Sequence, residues 1–145
     1  MKLLVSACLL GIACKYSGGD NLDPALLQAL RNAGHELVPV CPEIYGGLPT
    51  PRPPAERRGK SVVTEAGADV TAQYRKGAEA ALALYRLCGC QAALLKANSP
   101  SCGSGTIYDG SFSHVKISGD GVTAELLKAN GVPVYTEQDC AALFE

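Results

Sequence analysis

The sequence predicts a three-layer α/β domain, a mostly parallel sheet with helices on both faces, Rossmann-like in arrangement. Short apolar runs of strand length alternate with segments of helical periodicity, the pattern of strand–helix–strand crossovers in a parallel sheet. The chain has 145 residues, enough for one domain whose core needs no disulfide scaffold. Its composition, 47% hydrophobic and 19% charged, is that of a globular chain and not of a disordered one. One domain spanning residues 1–145 is therefore expected.

Residues 2–7, Lys-Leu-Leu-Val-Ser-Ala, read as a buried strand. A loop with several glycines follows. Asp23-Pro24 opens a helix with an acidic N-cap and proline at the first helical position. Leu26, Leu27 and Leu30 recur at helical spacing, and Asn32-Ala33-Gly34 closes the helix. Residues 35–40, His-Glu-Leu-Val-Pro-Val, form the second strand and run straight into Cys41-Pro42-Glu43. Residues 46–59 hold proline and glycine too densely for a helix or a central strand and are expected to form a loop. A small strand at 62–64 and a turn lead to the longest helix, 71–87, with Tyr74, Ala78, Ala81, Leu82 and Tyr85 on one face. Residues 92–97 are the third strand of the sheet and enter Asn98-Ser99-Pro100-Ser101-Cys102-Gly103. Gly119-Asp120-Gly121-Val122 opens a helix that stops at Asn130-Gly131. Residues 132–135 are the fourth strand and 138–144 a terminal helix.

Thirteen basic side chains against fourteen acidic ones leave a formal charge of −1, with no electrostatic footprint for nucleic acid or an anionic membrane. No apolar stretch approaches the ~18–20 residues of a membrane span. The N-terminal apolar run contains Cys8, stops at Gly11 and is followed closely by polar residues, unlike a signal peptide. The expected setting is cytoplasmic. There, an odd set of seven cysteines serves as metal ligands, nucleophiles or packing residues rather than as disulfides.

In an open parallel sheet, ligands bind beyond the carboxyl ends of the strands. Cys8 follows the first strand, Cys41 the second and Cys102 the third, each near a turn-former: Gly11, Pro42, Pro100 or Gly103. Thiols at strand exits are partly exposed and reactive, so these three are candidate ligands that could meet at one point. Cys88, Cys90 and Cys140 read as small packing residues. Cys14 could be a fourth ligand. Thiolate donors favour zinc, copper(I) or an iron–sulfur cluster. The lack of a C-x2-C pair weakens structural zinc, while three cysteines around a cube of four irons would leave one iron open. Glu43, two residues after Cys41, is a candidate general acid or base, against the plainer role of a solvated loop carboxylate. Ser99 and Ser101 could position water or substrate, or simply satisfy the turn's own backbone.

Six stretches carry a resemblance: Ser6-Ala7-Cys8-Leu9-Leu10-Gly11; Cys14-Lys15-Tyr16; Val40-Cys41-Pro42-Glu43 with Gly46-Gly47-Leu48-Pro49; Pro51-Arg52-Pro53-Pro54-Ala55-Glu56; Lys96-Ala97-Asn98-Ser99-Pro100-Ser101-Cys102-Gly103; and Gly119-Asp120-Gly121-Val122-Thr123-Ala124. Together they resemble the thiouracil desulfidase family over nearly the whole chain. The resemblance implies a [4Fe-4S] cluster held by Cys8, Cys41 and Cys102, with the fourth iron open to a thiocarbonyl sulfur. Water would then replace sulfur at the ring carbon, converting thiouracil to uracil with release of sulfide and no net redox change. It also implies Glu43 as the acid/base group, with Ser99 and Ser101 both in the matched motif. The chain departs from the family's usual pattern at Lys15, where arginine is common, and at Ser17, where Asp or Asn is.

The partner so implied is a small-molecule thiolated nucleobase; neither nucleic acid nor a membrane is expected. Arg52 reads first as a solvated surface arginine and otherwise as a contact to a substrate carbonyl or anion. A non-catalytic iron–sulfur scaffold or sensor would use the same three cysteines without needing Glu43. A nucleotide-binding module would draw on Gly103-Ser104-Gly105, which has two glycines of a dinucleotide fingerprint but follows the third strand.

Overall fold

The computed structural model describes all 145 residues. In chain order the first elements are β1 (Lys2–Ser6), α1 (Pro24–Asn32), β2 (Glu36–Val40), α2 (Pro42–Tyr45), β3 (Ala55–Arg58) and β4 (Ser61–Thr64). There follow α3 (Thr71–Cys88), β5 (Ala92–Leu95), β6 (Thr106–Tyr108), β7 (Lys116–Ser118), α4 (Val122–Ala129) and β8 (Val134–Thr136). Single 3₁₀ turns occupy Ala7–Leu10 and Ala141–Phe144.

The main sheet is parallel throughout, in the order β2-β1-β5-β8. Alternation along β1 divides the core in two. Leu3 and Val5 face α1 and the C-terminal turn, packing with Leu26, Leu30, Leu94 and Leu143. Leu4 faces α3 and α4, packing with Ala81, Leu82, Ala93, Leu95, Ala124 and Leu127. The expected three layers, with helices on both faces, are therefore present. Pro39 is tolerated within β2 because that strand lies at the sheet's edge. The Asp23 carboxylate caps α1 by accepting from the Leu26 N–H, with Pro24 at the first helical position as expected. No helix is long and apolar enough to cross a membrane.

Besides the short helix α2 and a shift of the fourth strand from 132–135 to Val134–Thr136, the structure departs from the sequence reading in four places. The stretch 46–59 is not loop throughout: residues 55–58 form β3, paired antiparallel with β4. Thr106–Tyr108 pairs with Lys116–Ser118 in a second hairpin, so the Gly103–Gly105 stretch leads into a strand and not a phosphate-binding helix. The strand expected at 92–97 stops at Leu95, because the next two amides bond to side chains: Lys96 to Ser6 Oγ and Ala97 to Glu137 Oε1. The expected terminal helix is one 3₁₀ turn. The Asp139 carboxylate accepts from both the backbone and the hydroxyl of Thr136, a local turn that competes with helix at residues 136–139.

Candidate functional site

The chain moves from β1 outward to β2, then crosses back to β5 on the other side of β1. Such a reversal opens a crevice at the carboxyl ends of the two central strands. A cavity of about 480 Å3 lies there, and Cys8, Cys14, Cys41, Cys102 and Glu43 all line it. Cys8 and Cys41 follow Ser6 and Val40, which are paired in register across β1 and β2. Cys102 arrives from the neighbouring β5. The sheet thus brings the three expected ligands together, with Cys14 beside them.

Each sulfur has a distinct setting. Burial pushes the Cys8 thiol above its ordinary value, opposed by a hydrogen bond with Asn21 and reinforced by nearby Cys41. Burial takes Cys102 to about 12, against hydrogen bonds from Ser6 and Ser101 that favour its thiolate. Cys14 is likewise pushed up to about 12, by burial first and then by Cys41. The Cys41 thiol donates to the Cys14 carbonyl at 3.7 Å. All seven cysteines are free, and Cys90 lies in the core as expected.

The hydroxyl pair divides in two. Ser99 lines the cavity, and its Oγ accepts from the N–H groups of Ser101 at 3.2 Å and Cys102 at 3.1 Å. Ser101 is 1% exposed; its hydroxyl lies 3.0 Å from that of Ser99 and donates to the Cys102 sulfur at 3.5 Å. The turn carrying them is seated on the start of α4. The N–H groups of Val122 and Thr123 donate to the Pro100 and Ser101 carbonyls at 2.9 and 2.8 Å. A Cβ at Gly121 would stand 2.5 Å from the Ser101 carbonyl, so only glycine fits. The stretch 119–124 is therefore the support of the Cys102 turn.

Glu43 is on α2, and both its oxygens are engaged. The Tyr74 hydroxyl donates to Oε1, and Arg52 Nη2 donates to Oε2 at 3.3 Å. Arg52 corrects the surface reading. It is only 7% exposed, and it also donates to the Cys14 carbonyl at 2.8 Å, the Pro49 carbonyl at 3.2 Å and Thr50 Oγ1 at 3.0 Å. The guanidinium thus ties the Cys14 segment and its own 49–52 loop to the acid. Tyr74 was legible only as a helix-face residue. Burial, followed by the adjacent carboxylate, pushes its phenol well above the ordinary range, so it stays a donor.

The remaining walls are aromatic and basic. Tyr108, Phe112 and His114 come from the β6–β7 hairpin. The Glu56 carboxylate accepts from the N–H groups of Gly110 and Phe112, and Arg58 Nε donates to the Gly110 carbonyl, so the β3–β4 hairpin clamps that loop in place. Lys96 also lines the cavity, paired with Glu137 at 2.9 Å. Ser6, Asn21 and Lys96 joined the sequence reading only as motif members or not at all. For Ser6 and Lys96 the signal was position, at the exits of β1 and β5, whereas Asn21 lies in the loop before α1 and carried none.

The donor set fits the implied cluster. Cys8, Cys14, Cys41 and Cys102 all line one cavity. Thiolate donors are the ligands that hold an iron–sulfur centre, so the residues present fit one. The Ser6 and Ser101 hydroxyls beside the Cys102 sulfur are the kind of supporting contacts such thiolates need.

The family model for 2-thiouracil desulfurase matches residues 3–139. A Bacillus subtilis (strain 168) protein, YbbK, described as uncharacterized, is 44% identical over 149 aligned positions that cover 94% of this chain and 96% of that one. A solved structure of the [4Fe-4S]-dependent thiouracil desulfidase TudS shares 50% identity at a TM-score of 0.91, covering 98% of this chain and 94% of its own. The match runs through every segment that builds the cavity, from β1 to the residues after β8, and the chain belongs to the 2-thiouracil desulfurase family.

Proposed function

We propose that the whole chain is one desulfidase domain that removes sulfur from a thiolated pyrimidine base such as 2-thiouracil, with water as the source of the incoming oxygen. The observation that carries this reading is the meeting of Cys8, Cys41 and Cys102 with Glu43 in one cavity. Family membership and the likeness to TudS support it. Cys8, Cys41 and Cys102 hold a [4Fe-4S] cluster, and Cys14 stands beside them without being required. When bound, the cluster supplies a sulfur-seeking Lewis acid at the iron that lacks a protein ligand.

Glu43 takes a proton from the attacking water and returns protons to the reacting groups. Ser99, at the cavity wall, orients water or the base, while Ser101 supports the Cys102 sulfur from behind. Tyr108 and Phe112 offer apolar faces to a planar ring. The charges of Glu43 and Lys96 are already paired within the protein, which suits an uncharged heterocycle better than a phosphorylated one. The reaction exchanges C=S for C=O, with water consumed and hydrogen sulfide released, so no electron donor is needed. Seven free thiols agree with a reducing, cytoplasmic setting.

The test begins with anaerobically purified, reconstituted protein. It should be brown, with about four irons per chain as a thiolate-held cubane requires, and should release sulfide and uracil from 2-thiouracil without reductant. Protein that stays colourless and iron-free after reconstitution would sink the reading. Iron-loaded protein that never turns over would mark a scaffold or sensor instead. Glu43→Ala should keep its iron and lose turnover.

A further inference from the structure

We propose that Tyr74 is a positioning residue that, together with Arg52, holds the Glu43 carboxylate in one orientation at the cavity. The proposal rests on the reading of Glu43 as the acid/base group. Glu43 belongs to a helix of four residues, one turn that cannot hold its own geometry in isolation. The long helix α3 supplies the missing support. A Cβ at Gly77 of α3 would overlap the Pro42 carbonyl, and one at Gly46, just after α2, would overlap the Gln73 carbonyl. The two backbones therefore touch, and α2 is seated at a single height on α3.

Tyr74 sits in that contact. It is 2% exposed and packs with Val62, Ala78 and Val122, so its ring is fixed by the core. A buried phenol requires a hydrogen-bond partner, and this one has Glu43 Oε1. Arg52 takes Oε2. With each oxygen held by a separate rigid donor, the carboxylate cannot swing about its side-chain bonds, and its remaining exposure is toward the cavity. Neither donor needs to touch the substrate to matter. Misplacing a reacting group by about an ångström costs up to ~100-fold in rate.

The experiment compares anaerobically reconstituted wild type, Tyr74→Phe, Glu43→Gln and the double variant, with 2-thiouracil as substrate. Tyr74→Phe keeps the packed ring and loses only the hydroxyl. Its iron content and KM should stay within about twofold of wild type, while kcat falls about 10- to 100-fold. The double variant should be no slower than Glu43→Gln alone, because the phenol acts through the carboxylate. A kcat for Tyr74→Phe within about twofold of wild type overturns the proposal. So does a double variant slowed by the full product of the single effects, and so does loss of iron from Tyr74→Phe, which would assign the hydroxyl a structural role. A fully active Glu43→Gln removes the acid/base reading itself, and the positioning role with it.

Discussion

Replacing Arg52 with methionine should be among the most damaging single changes outside the sheet. The substitution keeps much of the side chain's volume but removes four donated hydrogen bonds, to Pro49, Thr50, Cys14 and Glu43. It also leaves the Glu43 carboxylate without its cationic partner, where the two side chains are 2% and 18% exposed. Removing one partner of a buried ion pair costs ~3–5 kcal/mol. Because Glu43 keeps some access to the cavity, solvent recovers part of its charge, so the lower end, ~3 kcal/mol, applies. At ~2.1 cal/mol/K per residue, the unfolding entropy is roughly 0.3 kcal/mol/K for this chain, and the midpoint should fall by about 10 °C. Thermal unfolding of cluster-free protein followed by circular dichroism measures this directly. Arg52→Lys retains the charge but not the fork, and should lose about half as much. Adding Glu43→Gln to Arg52→Met should recover part of the loss, since the orphaned charge is then gone. A fall of less than ~2 °C for Arg52→Met would refute the view that this arginine staples the site.

Other outcomes follow from the same geometry. Serine replacing Cys8, Cys41 or Cys102 should abolish stable iron loading, whereas Cys14→Ser should load normally; iron and acid-labile sulfide assays separate the cases. Phe112→Ala should raise KM for 2-thiouracil roughly 10-fold with a smaller effect on kcat, since stacking on an aromatic ring is worth ~1–3 kcal/mol per base. Burial alone would raise the Asp120 carboxyl, but hydrogen bonds from Lys128 and the Gly105 N–H hold it below the ordinary range. A depressed folded pKa stabilises above the unfolded value and is lost as pH falls through the folded one. Asp120→Asn should therefore cost about 1 kcal/mol at pH 7 after solvent screening, and the difference should fade below pH ~4 in urea titrations.

Much of the scaffold was legible because its signals are local. Asp23-Pro24 announces α1 by cap chemistry alone, and the apolar runs at β1 and β5 read as buried strands because they lack alternation. Short elements were harder. β3, β6 and β7 hold only three or four residues each, and hairpin pairing rather than propensity makes them strands. The same holds for α2, which exists because it docks on α3 through Gly46 and Gly77.

The sequence by itself determined the fold class and the placement of Cys8, Cys41 and Cys102 at strand exits, since helix starts, strand runs and turn-formers act over a few residues. Only the tertiary structure decided that those exits are neighbours. That depends on the order β2-β1-β5, set by which helix covers which face of the sheet. Tertiary structure likewise turned Arg52 inward and gave Tyr74 a carboxylate partner. Spacing of 3.6 residues puts a tyrosine on a helix's inner face without saying what waits there, and whether an arginine is buried depends on what packs over it.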